Sequence, residues 1–396
     1  MGYRLALTVN NIRDILIWRQ ALVRALQETG FEVIVIGPPG PWEEAVRQLG
    51  CQVIKYPLSR QGLNPAAEVR SLVSLYSIYR EWHPIIAHHF TIKPNLYGTL
   101  AARLAKVPVV VATVTGLGYI WTDNGPKARF LRAILSPLYS QVLKLADAVI
   151  YFNEVDRQIL GGRRTIIIPG EGINLSAFSP GAMSPDRRLA LRRDLGLGSD
   201  SPVVLMVSRM LRHKGINEFV EAARQIREVC PKVVFLLVGP SDEGNPARIP
   251  LEELQAWDAA GLVRYLGFRE DVRDLMAIAD VIVLPTYYRE GLPRVLVEGA
   301  AMAKPLVATD VPGCREVVQD RVNGFLVPPR DSVALASAIQ TLLKDSEMRA
   351  RFGTASRRLA EEKLADWQVV AQILRLYAEL LEVRGLPALD DFKRTP

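Results

Sequence analysis

The chain has 396 residues, 49% of them apolar and 23% charged, enough for about two domains of ~150 residues with a remainder. Three widely spaced cysteines, Cys51, Cys230 and Cys314, argue against a disulfide framework or a cysteine metal cluster and fit a reducing cytoplasm. The apolar run Leu5 to Val9 is too short for a secretory signal, and the uncharged run Val107 to Thr122 holds a proline and two glycines and falls short of the ~20 residues of a membrane span.

The formal net charge of +7 is unevenly placed. Residues 1 to 180 carry 19 Lys and Arg against 12 Asp and Glu, and residues 181 to 396 carry 30 against 30. The whole excess lies in the first half, so that half is expected to face an anionic surface. Nothing resembles a nucleic-acid module, which puts lipid head groups first. Pro126 to Lys144 is a candidate contact, basic, with Phe130, Leu131, Ile134, Leu135 and Leu138 available to one face. The same pattern also suits a helix packed on a sheet.

In chain order, short β-branched runs alternate with helical patterns. The first series reads Tyr3 to Val9, Ile15 to Glu28, Glu32 to Ile36, Trp42 to Leu49, Cys51 to Tyr56, Glu68 to Trp82 and Ile85 to His89. It continues with Tyr97 to Ala105, Val109 to Thr113, a helix near 130 to 145, Ala148 to Tyr151 and Thr165 to Ile168. A stretch rich in Gly, Pro and Ser over 176 to 202 reads as a linker. The second series runs through Val203 to Val207, Ile216 to Val229, Val233 to Val238, Leu251 to Ala259, Val263 to Leu266, Val272 to Ile278, Val281 to Leu284 and Pro305 to Ala308. The expectation is an α/β protein of two Rossmann-like doubly wound domains with a cleft between them. One covers 1 to 180, the other 181 to 365, and a helix over 366 to 396 packs back on the first.

Glu290 and Glu298, in Glu-Gly-Leu-Pro-Arg-Val-Leu-Val-Glu, follow the strand Val281 to Pro285 and enter a helix at Pro293. In open α/β sheets ligands bind at that end of a strand, beside helix amides that attract anions. Two carboxylates flanking an anion site suggest a sugar nucleotide. Arg209 and Lys214, in Ser-Arg-Met-Leu-Arg-His-Lys-Gly, flank the turn after the first strand of the second series and suit a diphosphate. Arg212 and His213 are expected to face solvent, as is His83. His88 and His89 end a strand of the first series, with Lys93 close behind. His89 and Lys93 are candidates for an acceptor diphosphate, although a buried histidine with purely internal partners fits the same pattern.

Arg209…Lys214-Gly, Leu237-Val-Gly239, Tyr265-Leu-Gly-Phe-Arg-Glu-Asp271, Ala279-Asp280 and the glutamate pair together resemble the donor half of the retaining GT-B glycosyltransferases of family four (glycosyltransferase group 1). Thr115-Gly-Leu-Gly-Tyr119, Thr91-Ile-Lys-Pro-Asn-Leu-Tyr-Gly98, His213-Lys-Gly-Ile-Asn-Glu-Phe219 and Asp242-Glu-Gly-Asn-Pro246 are similar to the bacterial PglA type, which adds an N-acetylhexosamine to an undecaprenyl-diphosphate-linked sugar. The resemblance spans nearly the whole chain. It implies that Arg209 and Lys214 hold the donor diphosphate, Glu298 the ribose and Glu290 the donor sugar, with Gly291, Leu292, Pro293, Arg294 and Val295 completing the phosphate cradle. Gly267, Phe268 and Arg269 would lie near the base, with Gly239 and Asn174 lining the donor site and Gly116 and Gly118 beside the acceptor.

The implied donor is a UDP-sugar, a substrate rather than a cofactor. The implied acceptor is a lipid-linked saccharide at the inner face of the plasma membrane, where the protein would sit peripherally. No metal is expected, and no Asp-x-Asp occurs in the chain. Two departures stand out: Val9-Asn-Asn-Ile-Arg-Asp14 replaces the family's N-terminal Gly-Gly loop, and Thr115 stands where many relatives place a histidine. Thr115 is no acid or base near neutral pH. Residues alone leave open a UDP-N-acetylhexosamine 2-epimerase and an inactive sugar-nucleotide-binding protein. A nicotinamide dehydrogenase is disfavoured because no Gly-x-Gly-x-x-Gly opens a helix after the first strand.

Overall fold

The computed structural model describes residues 3–58, 64–122 and 125–386, with the backbone alone for Tyr119 and Ile120. The final part of the expected 366–396 segment, from 387 on, lies outside the described residues. The chain divides into two compact units, one of residues 1–172 and 366–396 and the other of residues 173–365. The division falls eight residues before the sequence-based boundary of 180. The helix Asp366–Val383 belongs to the first unit.

The first unit is built on a sheet of order β3-β2-β1-β4-β5-β6-β7. Its strands are β1 (Tyr3–Thr8), β2 (Phe31–Gly37), β3 (Gln52–Lys55), β4 (Ile86–Phe90), β5 (Val109–Val114), β6 (Ala148–Tyr151) and β7 (Thr165–Ile167). All neighbours pair in parallel. A parallel sheet is covered on both faces, which is why β4, β5 and β6 are buried at every position and are apolar apart from His88, His89 and Thr113. One face packs Leu22, Val23 and Leu26 with Val370, Leu374 and Tyr377 of the last helix. The other packs Leu75, Tyr79, Ala101, Tyr139 and Leu143 from the helices between β3 and β6.

The second unit carries a six-stranded parallel sheet of order β10-β9-β8-β11-β12-β13. Its strands are β8 (Val203–Val207), β9 (Val234–Val238), β10 (Arg264–Tyr265), β11 (Val281–Leu284), β12 (Leu306–Thr309) and β13 (Gly324–Val327). In both sheets the chain order reverses next to the first strand, between β1 and β4 and between β8 and β11. Loops leaving adjacent strands part there toward opposite faces and open a crevice at the carboxyl edge.

Three local differences from the sequence-based expectation have physical reasons. The helix expected over Ile15 to Glu28 breaks at Arg19, whose φ of −123° leaves the helical region. Arg19 is 3% exposed, lies over the Phe90 ring and pairs with Glu171, so tertiary contacts bend the chain. The expected linker contains a helix, Pro185–Asp194, started by the Ser184 cap and Pro185 at its first turn. In sequence a long polar and apolar pattern also runs from Arg349 to Arg384, and the structure divides it at Ala365, which is extended at ψ 137°.

Inside the first sheet the adjacent His88 and His89 are both fully buried. The His88 ring meets Thr113 Oγ1 at 2.6 Å and the Tyr377 hydroxyl. His89 meets the Tyr79 hydroxyl at 3.0 Å and Thr99 Oγ1 at 3.3 Å. Burial holds His88 well below the usual imidazole range and lowers His89 to about 3, so both are neutral in the fold. The unfolded chain therefore binds more protons than the native state below the ordinary imidazole pKa of about 6.5, and stability falls as pH drops through that window toward 3. The expected slope is roughly 1 kcal/mol per pH unit for each histidine. Urea unfolding between pH 7 and pH 5 should show it in the wild type and show less in His89→Gln.

Candidate active site

The carboxyl edge of the second sheet is assembled around glycines that let backbone segments touch. After β8, residues 212–214 make a single 3-10 turn, and Gly215, at φ 82°, begins the helix Ile216–Val229. A Cβ on Gly215 would lie 2.0 Å from the Pro285 carbonyl oxygen. The loop after β8 thus rests directly on the end of β11. Hydrogen bonds fix the contact, with Thr286 Oγ1 and the Tyr287 amide both donating to the His213 carbonyl, at 3.1 and 3.0 Å. Gly239, at φ 141°, plays the matching part after β9, since a Cβ there would stand 1.8 Å from the Ser208 carbonyl oxygen.

Lys214 and Glu290 meet in an ion pair, each side chain 14% exposed. Thr286 Oγ1 lies 3.2 Å from the same carboxylate oxygen of Glu290. The Lys214 ammonium stands 5.4 Å from the centre of the Tyr288 ring, and His213 stacks on that ring at 4.7 Å. His213, expected in solvent, is half-buried, and burial together with Lys214 lowers it to about 4. Beneath the loop lies Gly313, where a Cβ would come within 2.5 Å of the Glu290 carbonyl oxygen.

Glu298 lies in the helix Arg294–Ala301 and accepts from Arg294 Nε at 2.9 Å. Burial raises its carboxyl above the usual range, against the pull of Arg294. Arg209 is half-exposed and pairs with Asp242 Oδ2 at 2.9 Å. The Gly239 amide donates to the Gly267 carbonyl at 2.8 Å, which ties the Gly267 loop to the end of β9. Phe268 is exposed, and Arg269 forks onto Asp271 at 2.8 and 2.6 Å. Chemically this edge offers two cations, Arg209 and Lys214, for an anion, and two carboxylates, Glu290 and Glu298, that accept from hydroxyls.

Other expected residues have different surroundings. Asn174 turns its side-chain oxygen to the Ser176 and Ala177 amides, at 3.0 and 2.8 Å, and caps a local turn. In the first unit His89, a candidate acceptor contact, is an internal residue with both ring nitrogens partnered. A Cβ on Gly98 would come within 2.4 Å of its ring, which accounts for that glycine. Lys93 is held by Glu68 at 2.5 Å and both are mostly buried. Gly116 and Gly118 take φ values of 136° and 78° in the loop after β5, and Thr115 before them is half-buried. Arg212 pairs with Glu253 at 2.8 Å on the surface. Thr286 and Tyr288 carried no sequence signal beyond lying next to the glutamate motif, Gly313 carried none, and Asp242 opened the Asp242 to Pro246 motif without a role of its own.

Residues 19–166 match the family described as "Glycosyl transferase 4-like domain" and residues 187–359 the family "Glycosyl transferases group 1". The chain is 32% identical over 372 residues, 92% of its length and 96% of the relative's, to the N,N'-diacetylbacillosaminyl-diphospho-undecaprenol alpha-1,3-N-acetylgalactosaminyltransferase of Campylobacter jejuni. The chain belongs to the group 1 glycosyltransferases. This glycosyltransferase is also 28% identical, over 70% of its length and 71% of the relative's, to the Escherichia coli UDP-Gal:alpha-D-GlcNAc-diphosphoundecaprenol alpha-1,3-galactosyltransferase. In fold it resembles Anabaena Alr3699/HepE, solved in complex with UDP, with TM-score 0.77 at 22% identity over 95% of this chain and all of that one. Sucrose-phosphate synthase from Thermosynechococcus elongatus gives TM-score 0.78 at 22% identity, covering 96% and 100%. The two parallel sheets are those of a GT-B enzyme.

Gly215→Ala is expected to lower stability by more than the ~1 kcal/mol that a left-handed non-glycine residue costs alone, because the new methyl meets a backbone oxygen. Gly244→Ala, which adds a methyl into open space, should leave the urea midpoint unchanged and serves as the control.

Proposed function

We propose that the enzyme transfers a sugar, an N-acetylhexosamine such as GalNAc or GlcNAc, from a UDP donor to a polyprenyl-diphosphate-linked saccharide, with retention at the anomeric carbon. The half-buried Lys214–Glu290 pair between β8 and β11 carries the reading. It places a cation and a hydroxyl acceptor at the point where a doubly wound sheet takes a nucleotide. The Campylobacter relative's N-acetylgalactosaminyl transfer to a diphospho-undecaprenol-linked sugar supports both the sugar class and the acceptor class.

In this reading Lys214 and Arg209 take the diphosphate, with the amides of Gly291, Leu292, Arg294 and Val295 turned to the same oxygens and Pro293, which has no N–H, fixing the start of the helix. Their fixed positive charge stabilises the leaving UDP, the part a metal plays elsewhere, and no metal is included. Glu290 accepts from donor-sugar hydroxyls and Glu298 from the ribose. In the free enzyme each of these groups already has a partner of opposite charge, so donor binding is an exchange of partners. The diphosphate replaces Asp242 at Arg209 and Glu290 at Lys214, which frees Glu290 for the sugar. The acceptor side of the proposal places the first unit at an anionic membrane surface on the cytoplasmic face.

Purified enzyme with radiolabelled UDP-N-acetylhexosamines and a lipid-diphosphate acceptor tests the reading, and an absence of transfer with every UDP-hexose would sink it. Glu290→Gln is expected to lower turnover by roughly a hundredfold while UDP affinity holds or rises, since the competing ion pair in the free enzyme is weakened. Lys214→Ala should weaken UDP binding by roughly tenfold to a hundredfold and lower turnover as well. Calorimetric UDP titration beside initial rates separates the two, and equal losses of UDP affinity in both variants would contradict the assigned roles.

A further inference from the structure

Donor binding as proposed above takes Lys214 away from Glu290, whose side chain is mostly buried. A buried carboxylate left without a partner is costly, so another group must receive it. Thr286 does not suffice. Its single hydroxyl proton is already offered to the His213 carbonyl at 3.1 Å, and Glu290 Oε1 competes for it from 3.2 Å.

The group in reserve is the His213 ring. It sits between Arg212 and Lys214 in the single turn after β8, and its carbonyl is pinned by Thr286 and Tyr287. The ring lies on Tyr288, two residues before Glu290, with 4.7 Å between centres and 29° between planes. Its Nε2 is buried and has no hydrogen-bond partner among the described residues. An orphaned buried nitrogen carries a desolvation penalty, yet the charged groups around it, Arg209, Lys214 and Glu290, are each paired. The turn thus holds a spare donor beside a carboxylate that is due to lose its cation.

Charges from three segments act on this ring. Burial opposes a second ring proton most, Lys214 on the same turn and Arg209 after β8 oppose it as well, and Glu290 on the loop after β11 favours it, so the free enzyme holds the imidazole low, at about 4. Arg212 is turned to Glu253 on the surface, and Tyr288 presents a ring face. From the helix Pro312–Arg315, Cys314 faces Lys214 and Glu290 with a thiol that burial pushes up and keeps protonated. A diphosphate seated on Lys214 and Arg209 neutralises both opposing cations and leaves Glu290. The balance at the ring then reverses.

We propose that His213 takes over Glu290 when the UDP-sugar diphosphate takes Lys214: Nε2–H donates to the freed carboxylate and holds it toward the donor sugar, while the imidazole gains one proton from solvent to become imidazolium. His213 is a positioning residue, acting on the sugar through Glu290. This handover rests on the donor assignment made above and adds to it that UDP-sugar binding is a proton-uptake step.

Calorimetric titration of the full chain with UDP-N-acetylglucosamine and with UDP-N-acetylgalactosamine, in buffers of different ionisation enthalpy, counts the protons. The sugar nucleotides are used because their phosphates are diesters, whereas a terminal phosphate such as that of UDP titrates at about 6. At pH 6 wild type is expected to take up about one proton per donor bound, and affinity should rise roughly threefold or more between pH 7.5 and pH 6. The chain has four histidines, so the His213 ring nitrogens are assigned in NMR spectra by their loss in His213→Gln, and at pH 6 they should report imidazolium only in the complex. His213→Phe keeps an aromatic ring but no donor, and should lose roughly tenfold in turnover. His213→Gln keeps a donor that does not titrate, so it should recover most of that turnover while proton uptake vanishes. Donor binding without proton uptake overturns the proposal, as does equal uptake in wild type and His213→Gln or a His213→Phe variant as active as wild type. If neither sugar nucleotide binds at any pH, the donor assignment itself fails and the handover with it.

Discussion

At the centre of the second unit the chain crosses itself so closely that one position has no room for a side chain. The Pro285 carbonyl occupies the place of a Cβ on Gly215, and from this contact the geometry of the site follows. With the loop after β8 pressed on the end of β11, the His213 carbonyl comes within reach of Thr286 and Tyr287. Lys214 is then carried to Glu290 although 76 residues separate them. The glycine serves less for flexibility than for proximity, and its left-handed φ lets the helix Ile216–Val229 begin immediately after the turn.

The same closeness explains why the charges of this site are paired. A lysine and a glutamate that are each mostly buried would be costly alone, and in the free enzyme each offsets the other. Tyr288 adds a ring face to the ammonium, and His213, kept neutral by burial and by Lys214, adds no competing charge. Such a site is preorganised in position but occupied in electrostatics. In the proposed donor exchange a ligand enters by supplying anions better placed than the carboxylates it displaces.

Much of this was legible in the sequence, for identifiable reasons. Buried parallel strands are mostly apolar runs, so the strands of both sheets announced themselves up to β12, and their alternation with helices implied the doubly wound units. Arg209, Lys214, Glu290 and Glu298 stood out because charged residues at strand ends conflict with the apolar pattern around them. Less visible were features set by tertiary contact. The break at Arg19 depends on Phe90 and Glu171, and β13 and the helix Glu154–Leu160 are short segments with little periodicity. His213 looked like a free imidazole at a turn end, and the residues around His89 fitted an acceptor contact as well as a buried structural histidine. Their burial depends on Tyr79, Thr99 and Tyr288, residues that sequence distance does not connect to them. Asn174 had a family-based role, and its observed local capping is what asparagine does wherever a turn begins.

Charge is used differently in the two units, in keeping with the two kinds of recognition proposed for the enzyme. In the second unit, residues 173 to 365, 26 cations face 25 anions, and those at the candidate site are matched one to one. Paired charge at fixed separation discriminates, because only a ligand with anions at the right spacing can take both partners. In the first unit Arg70, Lys106, Lys127, Arg129 and Lys144 have no ion-pair partner among the described residues, and exposed apolar side chains lie on the same helices where a surface helix is ordinarily polar. Unpaired exposed charge discriminates little but attracts at a distance. That suits a surface whose charges have no fixed positions, and it leaves choice of donor to the geometry between β8 and β11.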